Sequence, residues 1–145
     1  MRALGVDFGE RRIGLAMSDP AGRFALPREA IERTTDRRAV YRLVDLVHAE
    51  RVEILVLGEP LGPAGEPSEA SLRVRRFGAK LARATSRPVL YVDETLTTVA
   101  ASERLADRDA DARRDAVAAQ IILQEAIDRG LLAEASGRLV DEATS

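Results

Sequence analysis

Three acids stand at positions where a folded chain normally keeps acids out. Asp7 interrupts the apolar, glycine-rich run "LGVDFGERRIGLAMSD" (4–19), Asp93 and Glu94 close the run "PVLYVDE" (88–94), and Asp115 sits inside "RRDAVAAQIILQEAI". On a strand over 3–8, Leu4, Val6 and Phe8 point one way and Ala3, Gly5 and Asp7 the other, so small neighbours leave room around the Asp7 carboxylate. A partly exposed turn acid is the alternative for Asp7. Capping of a following helix at Thr97 accounts for Asp93, which leaves Glu94 as the acid to explain. Asp115 shares a helical face with Ala118, Ala119, Ile122 and Ala126, the face that packs inward. A salt bridge to Arg113 or Arg114 is its alternative, although sequence neighbours point to other faces of a helix. Such an acid must be paired, metal-bound or solvated at a helix end.

Three carboxylates from separate segments are the donor set for two divalent cations. Oxygen ligands suit Mg²⁺ and Mn²⁺, and two ions about 3.5–4 Å apart stabilise both the attacking and the leaving oxygen of a phosphodiester displacement. With no cysteine and a single histidine, His48, late in an amphipathic helix, a zinc site is not expected. A second pattern is a basic row, Arg73, Arg76, Lys80 and Arg83, at i, i+3, i+7 and i+10, opposite the apolar Val74, Phe77 and Leu81. That row can track a phosphate backbone, or be an ordinary solvated face in a chain that uses arginine for all but one of its basic residues.

The elements that must position these groups follow from periodicity and turn chemistry. Residues 3–8 and 12–17 read as strands joined by a tight turn at Gly9-Glu10, where glycine also permits close approach to a ligand, with Gly14 across from it. Asp19-Pro20-Ala21-Gly22 turns the chain into a third strand over 23–31. Thr34, Thr35 and Asp36 cap a helix over about 37–50, and "VEILVLG" (52–58) reads as a strand covered on both faces. After a loop rich in glycine and proline, Ser68 caps a helix to about 84. The strand over 88–94 follows, then a short helix opened by Thr97 and Thr98, then a longer one over about 111–130 that Gly130 stops. This order predicts an α/β fold: a mixed five-stranded sheet, an antiparallel meander followed by parallel strands, with helices on both faces.

The 145 residues make one domain, and 46% hydrophobic content suffices for a core. We expect a domain over 1–132 and a flexible tail over 133–145. The 22 basic and 24 acidic residues nearly cancel, so any nucleic-acid contact needs a local patch. With no apolar run of membrane-spanning length and no signal-peptide pattern, a cytoplasmic location is expected.

Four segments, "GVDFGERRIGLAMSD", "VLGEPLGPAGEPSEASLRVRRFG", "VDETLTT" and "DAVAAQIILQ", together resemble the signature regions of the YqgF/RuvX family, in order, over about residues 3–130. The resemblance implies a ribonuclease-H-like fold and a nuclease for the 5′ end of precursor 16S rRNA; by fold the family has also been called a Holliday-junction resolvase. It implies an acidic catalytic and metal site at Asp7, Glu94 and Asp115. Two departures bear on substrate contacts: Gly58-Glu59-Pro60 stands where the family has Gly-Leu-Pro with a following Asn, and Thr95 replaces an arginine. Arg11, Arg12, Arg113 and Arg114 are nearby cations that can compensate. The expected reaction is Mg²⁺- or Mn²⁺-dependent hydrolysis of RNA by a monomer or homodimer. The rivals are a resolvase of branched DNA, which needs a dimer, a catalytically silent RNA-binding assembly factor, and an actin-type ATPase lobe, which needs a second lobe.

Overall fold

The computed structural model describes residues 1–94 and 110–135, and of 110–115 the backbone only. The predicted short helix at Thr97 and Thr98, Thr95 itself and the tail from 136 lie outside the described residues.

The elements are β1 (Ala3–Phe8), β2 (Arg12–Ser18), β3 (Ala25–Glu32), α1 (Asp36–Glu50), β4 (Ile54–Glu59), α2 (Glu69–Thr85), β5 (Val89–Asp93) and α3 (Ala110–Asp128). The sheet order is β3-β2-β1-β4-β5. β1 pairs antiparallel with β2 and parallel with β4, and β4 pairs parallel with β5, so β1 is central and joins the meander to the parallel half. Local signals fix the boundaries. The Gly9 N–H donates to Arg12 O (3.1 Å) and closes the first hairpin, while Asp19 Oδ1 accepts from Arg23 N and Phe24 N (2.7 and 2.9 Å) in the second turn. Thr35 caps α1 by accepting from Arg38 N, and Ser68 and Ser71 cap α2 reciprocally. Beyond Gly130, 131–135 forms a further helical turn whose Leu132 and Ala135 are buried.

The two sheet faces carry different cores. Leu4, Val6, Leu15, Leu55 and Leu57 pack large side chains against Leu43 and Val47 of α1 and Val74, Phe77 and Leu81 of α2. The opposite face is built of smaller residues, Ala3, Ala16, Ala25 and Val56, and lies under Ala119, Ile122, Leu123 and Ala126 of α3. Two glycines let α3 sit close. A Cβ at Gly5 would meet Leu123 Cβ at 2.7 Å and Ala119 O at 2.8 Å, and one at Gly58 would meet Ile122 Cδ1 at 2.5 Å. Gln120 and Gln124 hydrogen-bond the backbone of Ala25, fixing the C-terminal half of α3 over the far end of β3.

Gly5→Ala is therefore expected to push α3 off the sheet and destabilise the protein by about 1–3 kcal/mol. For a chain of this size that lowers Tm by roughly 2–4 °C per kcal/mol. Thermal melts of the two proteins check it, and an unchanged Tm would show that α3 is not seated on Gly5.

Candidate active site

Strand alternation places Asp7 on the α3 face, two residues beyond Gly5 and directly opposite Gly14 of β2. The residue facing Asp7 across the ladder thus has no side chain. Gly9, by contrast, is required by the hairpin, since a Cβ there would meet Arg12 O at 2.5 Å. It also lines the cleft beside Glu94.

Glu94 follows the last residue of β5, at the carboxyl end of the parallel strands, where ligands gather in open α/β sheets. Its N–H donates to Glu59 O (3.0 Å), an oxygen that also accepts from Leu61 N (3.0 Å), so the chain leaves β5 tied to the end of β4. Gly58 keeps space beneath it: a Cβ at 58 would lie 3.4 Å from Glu94 Cβ. The carboxyls of Asp7 and Glu94 meet and share a hydrogen bond. Burial is the main cause that pushes Asp7 up to about 8 from 3.8, with the hydrogen bond and the negative charge of Glu94 adding to it. Asp7 therefore holds its proton well above the usual carboxylate range.

Asp115 lies in α3, four and seven residues before Ala119 and Ile122. Ala119 sits over Gly5, while Ala116 lines a cavity with Arg12 and Glu32, so α3 runs with its N-terminal half toward the Asp7 end of β1. One helical turn rises about 5.4 Å and two strand residues about 6.6 Å. Helix position 115 therefore falls at the level of Asp7. The side chains of Asp115, Arg113 and Arg114 lie outside the described residues, and among those described no third acid joins the pair.

The donor set fits a hard divalent cation. It is all carboxylate oxygen, the chain has no cysteine, and His48 is exposed on α1.

The cations divide. Arg73 lines a cleft of 260 Å³ with Glu94, Phe8, Gly9 and Pro60, so the N-terminal end of the basic row opens on the acids. Arg76 and Arg83 are exposed further along α2, and Lys80 Nζ lies 3.6 Å from Asp36 Oδ2 at the start of α1. Arg11 is exposed at the β1–β2 turn and Arg12 lines a shallow cavity beside it with Glu10 and Arg33.

Two groups position the site through contacts that the sequence does not signal. Arg33 lines the cleft with its guanidinium 4.3 Å over the Phe8 ring, which stacks on Phe77 at 4.4 Å, and its Nη1 donates to Gly9 O (3.3 Å). It ties the residue after Asp7 to the hairpin tip. Glu59, the acid that departs from the family pattern, is buried and held by both Nε and Nη2 of Arg75, whose guanidinium lies 3.8 Å over Tyr91. Its carboxylate is thus turned toward α2, on the face away from Asp7. Neither role has a local sequence signal, because each pairs residues 16 or more apart.

The Asp7 titration has a defined sign. Between about 4 and 8 the unfolded chain has lost the Asp7 proton and the folded one keeps it, so metal-free stability falls as pH rises through that window and levels off above it. Asp7→Asn removes this dependence, and the variant is expected to melt higher than the wild type at pH 8 and nearly equal to it at pH 4. Melting curves in EDTA across that range check it; a difference that does not grow with pH would refute the raised Asp7 titration.

Comparison with known proteins agrees with this architecture. The chain is 39% identical over 129 residues to a protein of Maridesulfovibrio salexigens provisionally named a pre-16S rRNA nuclease, covering 86% of this chain and 96% of that one. It is 41% identical over 130 residues to a protein of Chloroflexus aurantiacus with the same provisional name, covering 86% and 85%. Among solved structures it superposes on Thermus thermophilus RuvC in complex with a Holliday junction substrate (TM-score 0.59, 17% identity, 90% of this chain and 96% of that one). The fowlpox virus Holliday junction resolvase is similar in fold (TM-score 0.56, 15% identity, 89% and 99%). Residues 1–129 match the RuvX family, described as Holliday junction resolvase, and the chain belongs to that family.

Proposed function

We propose that this chain is a metal-dependent nuclease that processes the 5′ end of precursor 16S rRNA in the cytoplasm. The observation that carries the reading is the meeting of the Asp7 and Glu94 carboxyls, from β1 and from the end of β5, at the open end of the parallel strands. A fold gains nothing from pressing two acids together unless a cation is to replace the shared proton. Asp7, Glu94 and Asp115 hold the ions, with Asp115 supplied from the α3 position level with Asp7. When bound, a pair of Mg²⁺ or Mn²⁺ ions supplies an activated water and positive charge for the leaving oxygen. Arg73, at the mouth of the cleft, holds a substrate phosphate, and Arg76, Lys80 and Arg83 extend the track along α2, with Arg11, Arg12, Arg113 and Arg114 flanking the acids. The provisional names of the relatives support precursor 16S rRNA as substrate, and the family description keeps branched DNA as the second reading.

Asp7→Asn is expected to abolish divalent-dependent cleavage of a precursor 16S fragment while the protein stays folded; wild-type cleavage by the variant would refute the catalytic assignment. Asp115→Ala is expected to lose the rise in Tm that Mn²⁺ gives the wild type, and an equal rise in both would remove Asp115 from the site. Cutting of a four-way junction in preference to the RNA fragment, by a dimer, would favour the resolvase.

The basic row has its own test. Each phosphate contact removed lowers the slope of log affinity against log salt by roughly 0.7–0.9, so Arg73→Ala with Arg76→Ala is expected to make it shallower by roughly 1.4–1.8. Titration of labelled RNA in Ca²⁺ at several salt concentrations measures it, and an unchanged affinity and slope would reduce the row to a solvated face.

A further inference from the structure

The groove between α1 and α2 shares only Lys80 with the site described above. It has a volume of 480 Å³ and is lined by Arg37, Val40, Tyr41, Val44, Lys80 and Ala84. Its floor is aliphatic, and Tyr41 stands 60% exposed beside it, with the Arg37 guanidinium 5.9 Å from the ring centroid. A large aromatic ring left in solvent within a concave, apolar, cation-rimmed surface marks a binding surface.

We propose that this groove is a subsite for a single-stranded stretch of RNA, with a base stacked on Tyr41 and neighbouring phosphates held by Arg37 and Lys80. The proposal rests on the nucleic-acid-processing reading given above. Charge complementarity selects the occupant. Lys80 lies on the same α2 row as Arg76 and Arg83, both exposed, and that row begins with Arg73 in the cleft beside Glu94. From position 73 to position 80 the helix rises about 10 Å, so the groove lies within a few nucleotides of the acids. Lys80 also faces Asp36 at 3.6 Å, but an ammonium has three donors and that exposed pair is weak. Sequence-tolerant stacking on an aromatic ring combined with a basic track is how single strands are held. A duplex would not offer its bases to Tyr41, so the groove favours substrate that is unpaired beside the cut.

The chain has two tyrosines and no tryptophan, and Tyr91 is half-buried under Arg75, so quenching of intrinsic fluorescence on binding reports Tyr41. The probe is a labelled single-stranded oligoribonucleotide of about 12 nucleotides, titrated without divalent cations so that binding is read apart from cleavage. Wild type and Tyr91→Phe are expected to bind with quenching, and Tyr41→Phe to bind without it. Tyr41→Ala is expected to bind about 5- to 150-fold more weakly with an unchanged salt slope, and Lys80→Ala with a slope shallower by roughly 0.7. Wild-type binding by Tyr41→Ala, or a preference for duplex over single strand, would overturn the proposal. So would self-association that Tyr41→Ala abolishes while RNA binding is unchanged, since the groove would then hold a second copy. If the variants behave as expected but no form of the protein cleaves RNA, the groove stands and the nuclease reading falls.

Discussion

The structure is organised around one unfavourable contact, two carboxyl groups held against each other at the carboxyl end of the parallel strands. The contact of Asp7 with Glu94 is tolerated because Asp7 keeps its proton above the usual carboxylate range, and in the function proposed above a divalent cation would take that proton's place. The residues around the pair follow from this constraint. Gly14 faces Asp7 across the ladder, Gly5 precedes it on the same face, and Gly58 lies beneath Glu94. A Cβ at Gly5 or Gly58 would enter the space that α3 occupies, and one at Gly58 would also approach Glu94. The same glycines bring α3 against the sheet, and with it helix position 115. Small residues on that face thus serve packing and site together.

The opposite face supplies what the acid face lacks. Its core of Leu4, Leu55, Leu57, Phe77 and Leu81 is built of large side chains, nearly all removed from water, and it extends to the sheet edge through the Phe8–Phe77 stack with Arg33 above it. Because Phe8 is the residue after Asp7, anchoring its ring fixes the direction in which the Asp7 side chain leaves the strand. Glu59 and Arg75 do the corresponding work at β4. The buried carboxylate is neutralised in place, and the backbone oxygen of the same residue receives the N–H of Glu94. Each acid of the pair is therefore positioned by a neighbour that points to the other face, as strand alternation requires.

Much of this was legible in the sequence because it rests on local rules. Strand and helix boundaries followed from turn residues, caps and periodicity, and they match the structure to within two or three residues for every described element; Thr35 and Ser68 cap the helices that they were expected to cap. The outward logic of Asp7 was readable from alternation with Leu4, Val6 and Phe8. The grouping of Asp7 with Glu94 rested on their shared chemistry and on the family resemblance, because Glu94 is 87 positions away and nothing local sets the distance between the ends of β1 and β5. The departure at Glu59 gave the opposite lesson. As a sequence feature it suggested altered substrate contact, whereas its carboxylate is turned to Arg75 on α2 and its oxygens are already occupied. The role of Arg33 was hidden for the same reason, since its ring partner and its carbonyl partner lie on another strand.

The division between faces also separates stability from chemistry. The large-residue core under α1 and α2 holds the parallel strands whether or not the acids are ionised, so the acid pair can remain unfavourable without threatening the fold. The connection between the two sides is the cleft at the strand ends, where Glu94 from one side and Arg73 from the other line the same space. A phosphodiester entering there meets positive charge from α2 on one flank and the carboxylates on the other. Under the proposed function the arginine would neutralise substrate charge that the acids repel, and the acids would attract substrate only once cations neutralise them. In the proposed reaction substrate binding and cation binding would thus be coupled by simple electrostatics, the basic row holding nucleic acid before the acids take up metal.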